Sequence, residues 1–137
     1  MSFPLSWEES DKAEVIVSDI LDKLNPDAAV RFGMAYRECL DALCRKIPED
    51  IANGFPPTPN EDASLAMSRP TYCAKFETSK RRSRLSSVGV WYIVFLLLDG
   101  DGDHVPETLR VVAVRHGSAP SLWNENERNG EISSSEE

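Results

Sequence analysis

The chain has 137 residues, which is about the length of one domain and too short for a multidomain enzyme. Its net charge is −8 at pH 7, and this disfavours general nucleic-acid binding because phosphate contacts need clustered cations. The longest apolar run, Val90–Leu98, is nine residues long, far below the roughly 20 that a membrane-spanning helix needs.

Cysteine content and the first residues both favour the cytoplasm. The three cysteines, Cys39, Cys44 and Cys73, form neither an even disulfide framework nor a paired metal-binding motif, so we expect reduced thiols. The first ten residues contain no apolar signal core. We therefore expect a cytoplasmic protein that does not associate with membranes.

The N-terminal residues predict a strand followed by a helix. Phe3, Leu5 and Trp7 alternate with other residues, which is typical of a short strand with one buried face. Pro4 has no N–H to donate, so we expect that strand at an edge of its sheet. Ser10 is a good N-cap for the next helix, whose apolar residues recur at helical spacing as far as Leu24.

A second helix follows almost at once. Asn25 is its predicted cap, Pro26 is tolerated in its first turn, and its apolar stripe continues to about Ile47. We expect Pro48 to end it, because proline has no N–H for the helical hydrogen bond. Two helices with so short a joint are expected to form an antiparallel hairpin.

Residues 48–70 contain five of the nine prolines, which predicts a surface excursion with one helical turn near residues 62–67. From residue 71 the pattern changes to strands. Residues 71–78 and 82–88 are two strands or two parts of one bent strand, Val90–Leu98 is a central strand covered on both faces, and residues 109–116 return beside it.

Residues 99–103 provide turn chemistry between the last two strands. Their alternating aspartates imitate a calcium loop, but His104 stands where that loop needs glycine and Arg110 where it needs glutamate. Residues 124–137 have one apolar side chain and are expected to form a disordered acidic tail.

The predicted fold class is therefore α+β. We expect one domain over residues 1–123, in which an N-terminal strand and an antiparallel helix hairpin pack with a small, mainly antiparallel C-terminal sheet.

Positive charge is concentrated in one short segment. Residues 69–84 hold six Lys/Arg and one Asp/Glu, whereas the rest of the chain holds nine and 22. The six cations are Arg69, Lys75, Lys80, Arg81, Arg82 and Arg84. Such a segment creates a local positive field on an acidic body. The alternative interpretation is a solvated hairpin edge, where basic residues block aggregation between strands.

Four side chains outside any known motif are candidates for chemistry: Arg84, Arg110, Arg115 and His116. If the last strands pair antiparallel beside the Arg84 strand, arginines there can grip phosphates and His116 can transfer a proton near neutral pH. The alternative is a strand end that simply reaches water. The chain has no glycine-rich phosphate loop and no nucleophile turn, so an independent metabolic enzyme has little support.

Three motifs, in this order, are similar to one family of small bacterial proteins. Residues 25–29 (NPDAA) form a helix joint, residues 84–95 (RLSSVGVWYIVF) lead from an arginine through a glycine into the central strand, and residues 109–117 (LRVVAVRHG) close the sheet. Their order and spacing over roughly residues 3–120 resemble the RelE/ParE toxin superfamily.

The resemblance implies a toxin of a type II toxin–antitoxin (plasmid stabilisation) system. RelE-like members cut messenger RNA on the ribosome by attack of the ribose 2′-hydroxyl on the adjacent phosphate, and ParE-like members poison DNA gyrase. If the chain is an enzyme, the resemblance implies a metal-independent endoribonuclease, that is, an mRNA interferase that needs no cofactor. The partner that the resemblance implies is a cognate antitoxin. The residues that it implies for catalysis are Arg84, Arg115 and His116. For target binding we expect Lys80, Arg81 and Arg82 of the basic segment, together with Tyr92 of the central strand.

The chain also departs from the family pattern. Tyr92 and Phe95 stand where the central strand often has an arginine and a tyrosine, and Ser118 follows Gly117 where an arginine is common. Together with the acidic composition, these departures support an alternative to an active toxin. In this alternative the chain is a catalytically inactive RelE/ParE-like protein-interaction module. Such a module would bind a partner peptide at a sheet edge or in a helix groove.

Overall fold

The computed structural model describes residues 5–78, 89–100 and 105–117. The elements in chain order are β1 (Ser6–Glu9), α1 (Asp11–Lys23), α2 (Pro26–Ala52), α3 (Glu61–Met67), β2 (Tyr72–Glu77), β3 (Val90–Leu98) and β4 (Thr108–His116). The described chain is therefore α+β, as predicted. The predicted strand at 82–88, turn residues 101–103 and the predicted tail at 124–137 lie outside the described residues.

The four strands form one mixed sheet in the order β1-β4-β3-β2. The β2–β3 and β3–β4 pairs are antiparallel, whereas β1 runs parallel to β4. The predictions of an N-terminal strand at a sheet edge and of a central strand at Val90–Leu98 are both confirmed.

The first two helices begin where their caps predict. The Ala13 N–H donates to Ser10 Oγ at 3.1 Å, and the Ala28 N–H donates to Asn25 Oδ1 at 2.8 Å. Each cap satisfies a backbone donor that the first turn leaves without a helical acceptor. Only Leu24 and Asn25 separate α1 from α2, which are in contact.

The prediction that Pro48 ends the second helix is wrong, because α2 continues to Ala52. In an α-helix the N–H of residue 48 would donate to the carbonyl of Cys44, and proline has no N–H. The Leu5 N–H donates to the Cys44 carbonyl at 2.9 Å instead. The N-terminal segment thus supplies the hydrogen bond that Pro48 removes, and this lets the helix continue past a proline.

The predicted excursion over residues 48–70 is shorter than expected, because α2 occupies its first residues. The helical turn predicted near residues 62–67 is confirmed as α3, Glu61–Met67. Asn60 caps α3 by accepting from the Ala63 N–H at 2.9 Å. The Thr71 N–H donates to Ser64 Oγ at 2.9 Å, and the Asn60 N–H donates to the Thr71 carbonyl at 2.8 Å. These bonds fix α3 beside the start of β2.

The sheet has an apolar cluster on each face. The α2 face, as we name it, is built from residues that include Phe32, Leu40, Ile93, Phe95, Leu109 and Val111. The opposite α3 face is built from Ala63, Val94, Leu96, Val112 and Ala113. Because β3 contributes alternate residues to both clusters, it is apolar along its whole length.

Two side-chain hydrogen bonds hold β1 against α2. The Tyr36 hydroxyl donates to Glu9 Oε2 at 2.6 Å, and Trp7 Nε1 donates to Asp41 Oδ1 at 3.2 Å. With the Leu5–Cys44 bond, these contacts show that α2 runs antiparallel to β1. Burial, reinforced by the Glu9 carboxylate, raises the pKa of Tyr36, so this phenol stays a hydrogen-bond donor at neutral pH.

Replacing Tyr36 with phenylalanine is expected to lower the free energy of unfolding by about 1–2 kcal/mol, because the Glu9 carboxylate loses a buried donor. Urea denaturation followed by circular dichroism measures the change. Glu9→Gln is the matched control, since its side-chain carbonyl still accepts the bond, and it should lose less. Equal stability of the parent chain and Tyr36→Phe would contradict this account.

Candidate functional site

The structure describes three of the seven residues predicted for the site: Tyr92, Arg115 and His116. Arg84, predicted for catalysis, and Lys80, Arg81 and Arg82, predicted for target binding, lie outside the described residues. Arg110, also a sequence candidate, lies far along β4 from Arg115 and forms an ion pair with Glu8 of β1.

Arg115 and His116 lie on opposite faces of the sheet. They are consecutive in β4, and consecutive side chains of a strand point to opposite faces. His116 lies on the α2 face, where its ring meets Trp91 edge-to-face with the centroids 4.8 Å apart. Arg115 pairs with Tyr92 on the α3 face. The sheet therefore does not bring Arg115 and His116 together on one surface.

The His116 ring extends an aromatic cluster in the core. Trp91 also meets Phe32 edge-to-face, with ring centroids 4.9 Å apart, and Phe32 stacks on Tyr36. Glycine is favoured at position 117 for a steric reason, because a Cβ there would lie 3.0 Å from the Val90 side chain. The His116 ring thus closes the end of the α2-face core, which is a structural role.

The α3 face carries a row of three polar side chains across three strands. Lys75 of β2 pairs with Tyr92 of β3, and Tyr92 pairs with Arg115 of β4. Residues paired in this way have Cβ atoms about 4.5–5.5 Å apart, so the three side chains are neighbours. Lys75 is exposed, and Tyr92 and Arg115 are half-buried. We call Lys75, Tyr92 and Arg115 the cationic row.

The cationic row has the chemistry of an anion site. An arginine and a lysine on either side of a phenol supply charged donors and an aromatic surface to a phosphate group and its neighbouring base. Burial lowers the pKa of Arg115 and shields its Nε and Nη2 from water. Glu77, exposed on the same face two residues beyond Lys75, limits the positive field on that side.

The cationic row lies near the end of the sheet to which the basic segment is connected. The Thr78 N–H donates to the Gly89 carbonyl at 2.8 Å, so both ends of the 79–88 connection meet there. Lys75, Tyr92 and Arg115 are each within three residues of that end of their strand. The four predicted site residues outside the described ranges therefore belong to a connection that starts and finishes beside the row.

Sequence reasoning did not assign Lys75 to the site, although it counted Lys75 in the basic segment. The signal that finds it is the register of β2 on β3, which places Lys75 opposite Tyr92. A shift of one residue would have placed Lys75 on the other face, so composition and charge alone were insufficient.

The three cysteines are free and are poor nucleophiles. Burial raises the pKa of the Cys39 thiol, and it is the main cause that raises the pKa of Cys44 and of Cys73 to about 11. The reactive thiolate is therefore scarce at neutral pH, and none of the three suits nucleophilic catalysis.

These raised pKa values predict that stability falls as the pH rises from about 9 to about 11. In that window the unfolded chain ionises its thiols while the folded chain keeps Cys44 and Cys73 protonated, so the unfolded state is favoured. Urea denaturation at several pH values measures the slope, which should be shallower in Cys73→Ala than in the parent chain. Identical slopes would show that the Cys73 thiol makes no such contribution.

Residues 5–78, 89–100 and 105–117 hold no group of three His, Cys, Asp or Glu side chains that could hold a metal ion. None of the helices in the same ranges combines the length and apolarity that crossing a bilayer requires. Comparison of the chain with protein-family models, with curated proteins and with solved structures gives no match.

Proposed function

We propose that the chain is the toxin-like component of a type II toxin–antitoxin system and that it inhibits translation by binding RNA through the cationic row. The order of elements is one strand, three helices and then three strands, which is the order that the RelE/ParE resemblance implies except for the short helix α3. The observation that carries the proposal is the placement of Lys75, Tyr92 and Arg115 side by side on one face.

The row fits single-stranded RNA better than it fits a small anion. Lys75 on β2 and Arg115 on β4 flank Tyr92 on β3, so the two cations can contact neighbouring phosphates of one strand of RNA. The Tyr92 ring between them offers a surface on which a base stacks. Because the chain has a net charge of −8, most of its surface repels a polyanion such as RNA. A local cationic site is therefore where RNA is expected to make contact.

The geometry supports binding more directly than cleavage by His116. A general acid or base must lie within hydrogen-bond reach of the proton that it transfers, and His116 packs on Trp91 on the opposite face from Arg115. In this proposal the chain inhibits translation by staying bound to RNA, which requires no proton transfer by His116. A cognate antitoxin is the partner that the proposal requires, and the cytoplasm is the compartment.

Inducing the chain alone in a bacterial host tests the proposal. Growth should stop and incorporation of radioactive amino acids should fall, as with a known translation-blocking toxin in the same strain. His116→Ala should still inhibit. Growth arrest accompanied by DNA-damage signalling, with translation intact, would contradict the proposal in favour of gyrase inhibition. Normal growth with a co-purifying small protein would contradict it in favour of the interaction module.

A further inference from the structure

The segment that connects α2 to α3 is rich in proline and has no part in the proposed function. Residues 55–59 (FPPTP) contain three of the nine prolines and belong to no helix or strand. Main-chain hydrogen bonds fix both ends of this segment. The Phe55 N–H donates to the Asp50 carbonyl at 2.8 Å, at the last turn of α2. The Asn60 N–H donates to the Thr71 carbonyl at 2.8 Å, just before β2.

The sequence of this segment favours the polyproline II conformation, an extended left-handed helix. Proline fixes its own φ at about −65°, which is close to the value in that helix. Phe55, Pro56 and Thr58 each precede a proline, whose ring disfavours α-helical torsions at the residue before it. Each of the five residues is therefore directed towards polyproline II by its own ring or by the ring that follows it.

Solvent exposure along the segment repeats every three residues, which is the number of residues in one turn of a polyproline II helix. Pro57 is half-buried, and so is Asn60, three residues later. The residues between and before them are all exposed: Phe55, Pro56, Thr58 and Pro59. One edge of the segment thus rests on the protein and two edges face solvent. The first exposed edge carries Phe55 and Thr58, and the second carries Pro56 and Pro59.

The two exposed edges offer apolar rings and main-chain acceptors to a partner. Phe55 is 74% exposed, and the rings of Pro56 and Pro59 are exposed beside it. The carbonyls of residues 55–59 accept no hydrogen bond from any described residue. Because the three prolines have no N–H, the segment cannot form the regular ladder that would add it to a sheet. Its chemistry is that of rings and acceptors in a row.

We propose that residues 55–59 bind a partner protein through a groove lined with aromatic side chains. Such grooves recognise polyproline II segments in which proline recurs at the third position, and Pro56 and Pro59 have this spacing. Aromatic rings of the groove pack on the exposed rings, while tyrosine or tryptophan side chains donate to the carbonyls. Because both ends are fixed and proline has little freedom to lose, ordering of the segment costs little affinity. The segment shares no residue with the cationic row.

The test is a nuclear magnetic resonance titration of the full, isotope-labelled chain with three purified probe domains that bind polyproline II segments: an SH3 domain, a WW domain and an EVH1 domain. At least one probe should bind and shift the amide signals of Phe55 and Thr58, the two residues of the segment that have an amide N–H. Absence of binding by all three probes at about 1 mM, or shifts confined to other surfaces, would overturn the proposal.

Single substitutions show which edges make contact with the probe. Pro56→Ala and Pro59→Ala should each weaken binding by about fivefold or more, because each removes a ring from an exposed edge. Pro57→Ala is the matched control within the segment and should weaken binding less, because its edge rests on the protein. Pro70→Ala, at an exposed proline outside the segment, should leave the affinity nearly unchanged.

Equal losses in the Pro56, Pro57 and Pro59 variants would contradict the assigned edges and overturn the proposal. Circular dichroism of each variant should match that of the parent chain, since these prolines lie outside the helices and strands. Because no RNA is present in these titrations, failure here leaves the proposed function standing.

Discussion

Reversing the charge of Lys75 is expected to abolish growth inhibition by the induced chain. Lys75 is exposed, so Lys75→Glu should fold normally while it places a negative charge opposite Tyr92 in the cationic row. A glutamate there repels phosphate and can also pair with Arg115, which removes both cations from the site. Growth after induction, compared at equal protein level, measures the effect.

The matched control for Lys75→Glu is Arg37→Glu. Arg37 is also exposed and the substitution changes the net charge by the same amount, but it lies on α2, on the other side of the sheet. This variant should still stop growth. Loss of inhibition in both variants would mean that net charge, and not the cationic row, determines the activity.

The largest effect on stability is expected from Phe32→Ala, at about 3–5 kcal/mol. Phe32 is 1% exposed, and its ring contacts Tyr36, Phe76 and Trp91 at centroid distances of 5.7, 5.6 and 4.9 Å. Removing it leaves a cavity among three aromatic rings that join α2 to β2 and β3. A loss of this size is a large fraction of the 5–15 kcal/mol typical of a natural domain.

Two controls separate this packing effect from a general effect of losing an aromatic residue. Phe32→Leu keeps much of the buried volume and should lose markedly less than Phe32→Ala. Phe55→Ala removes an aromatic ring that is 74% exposed and should change stability by less than about 0.5 kcal/mol. Similar urea midpoints for Phe32→Ala and Phe55→Ala would contradict the core described here.

Local signals in the sequence predicted most of the elements. Ser10 and Asn25 are capping residues whose chemistry is complete within four residues, so the starts of α1 and α2 were predictable. The uniform apolarity of Val90–Leu98 predicted a strand covered on both faces, and α2 and α3 supply the two covers. Such features depend on neighbours in sequence or on simple periodicity.

The features that sequence reasoning missed depend on contacts between distant residues. Pro48 does not end α2 because the N–H of Leu5, a residue distant in sequence, donates to the Cys44 carbonyl that the proline leaves free. No local pattern around Pro48 contains that information. The usual rule for proline describes a helix without such a partner.

The candidate site shows the same limit. The expected pairing of the last strands beside the Arg84 strand grouped Arg115 with His116, whereas consecutive side chains of a strand lie on opposite faces. Joining Lys75 to Tyr92 and Arg115 required the register of two strand pairs, which the sequence left open. The pattern of charge singled out residues 69–84, and the sheet determines that Lys75 of this segment lies beside Tyr92 and Arg115.

The most direct test of the cationic row is the affinity of the purified chain for a fluorescein-labelled single-stranded RNA of about 12 nucleotides, measured by fluorescence anisotropy at several salt concentrations. We predict that the chain binds, and that Lys75→Glu binds about tenfold or more weakly with a shallower salt dependence. Arg37→Glu should bind nearly as well as the parent chain. Absence of binding by the parent chain, or equal loss in both variants, would contradict the account.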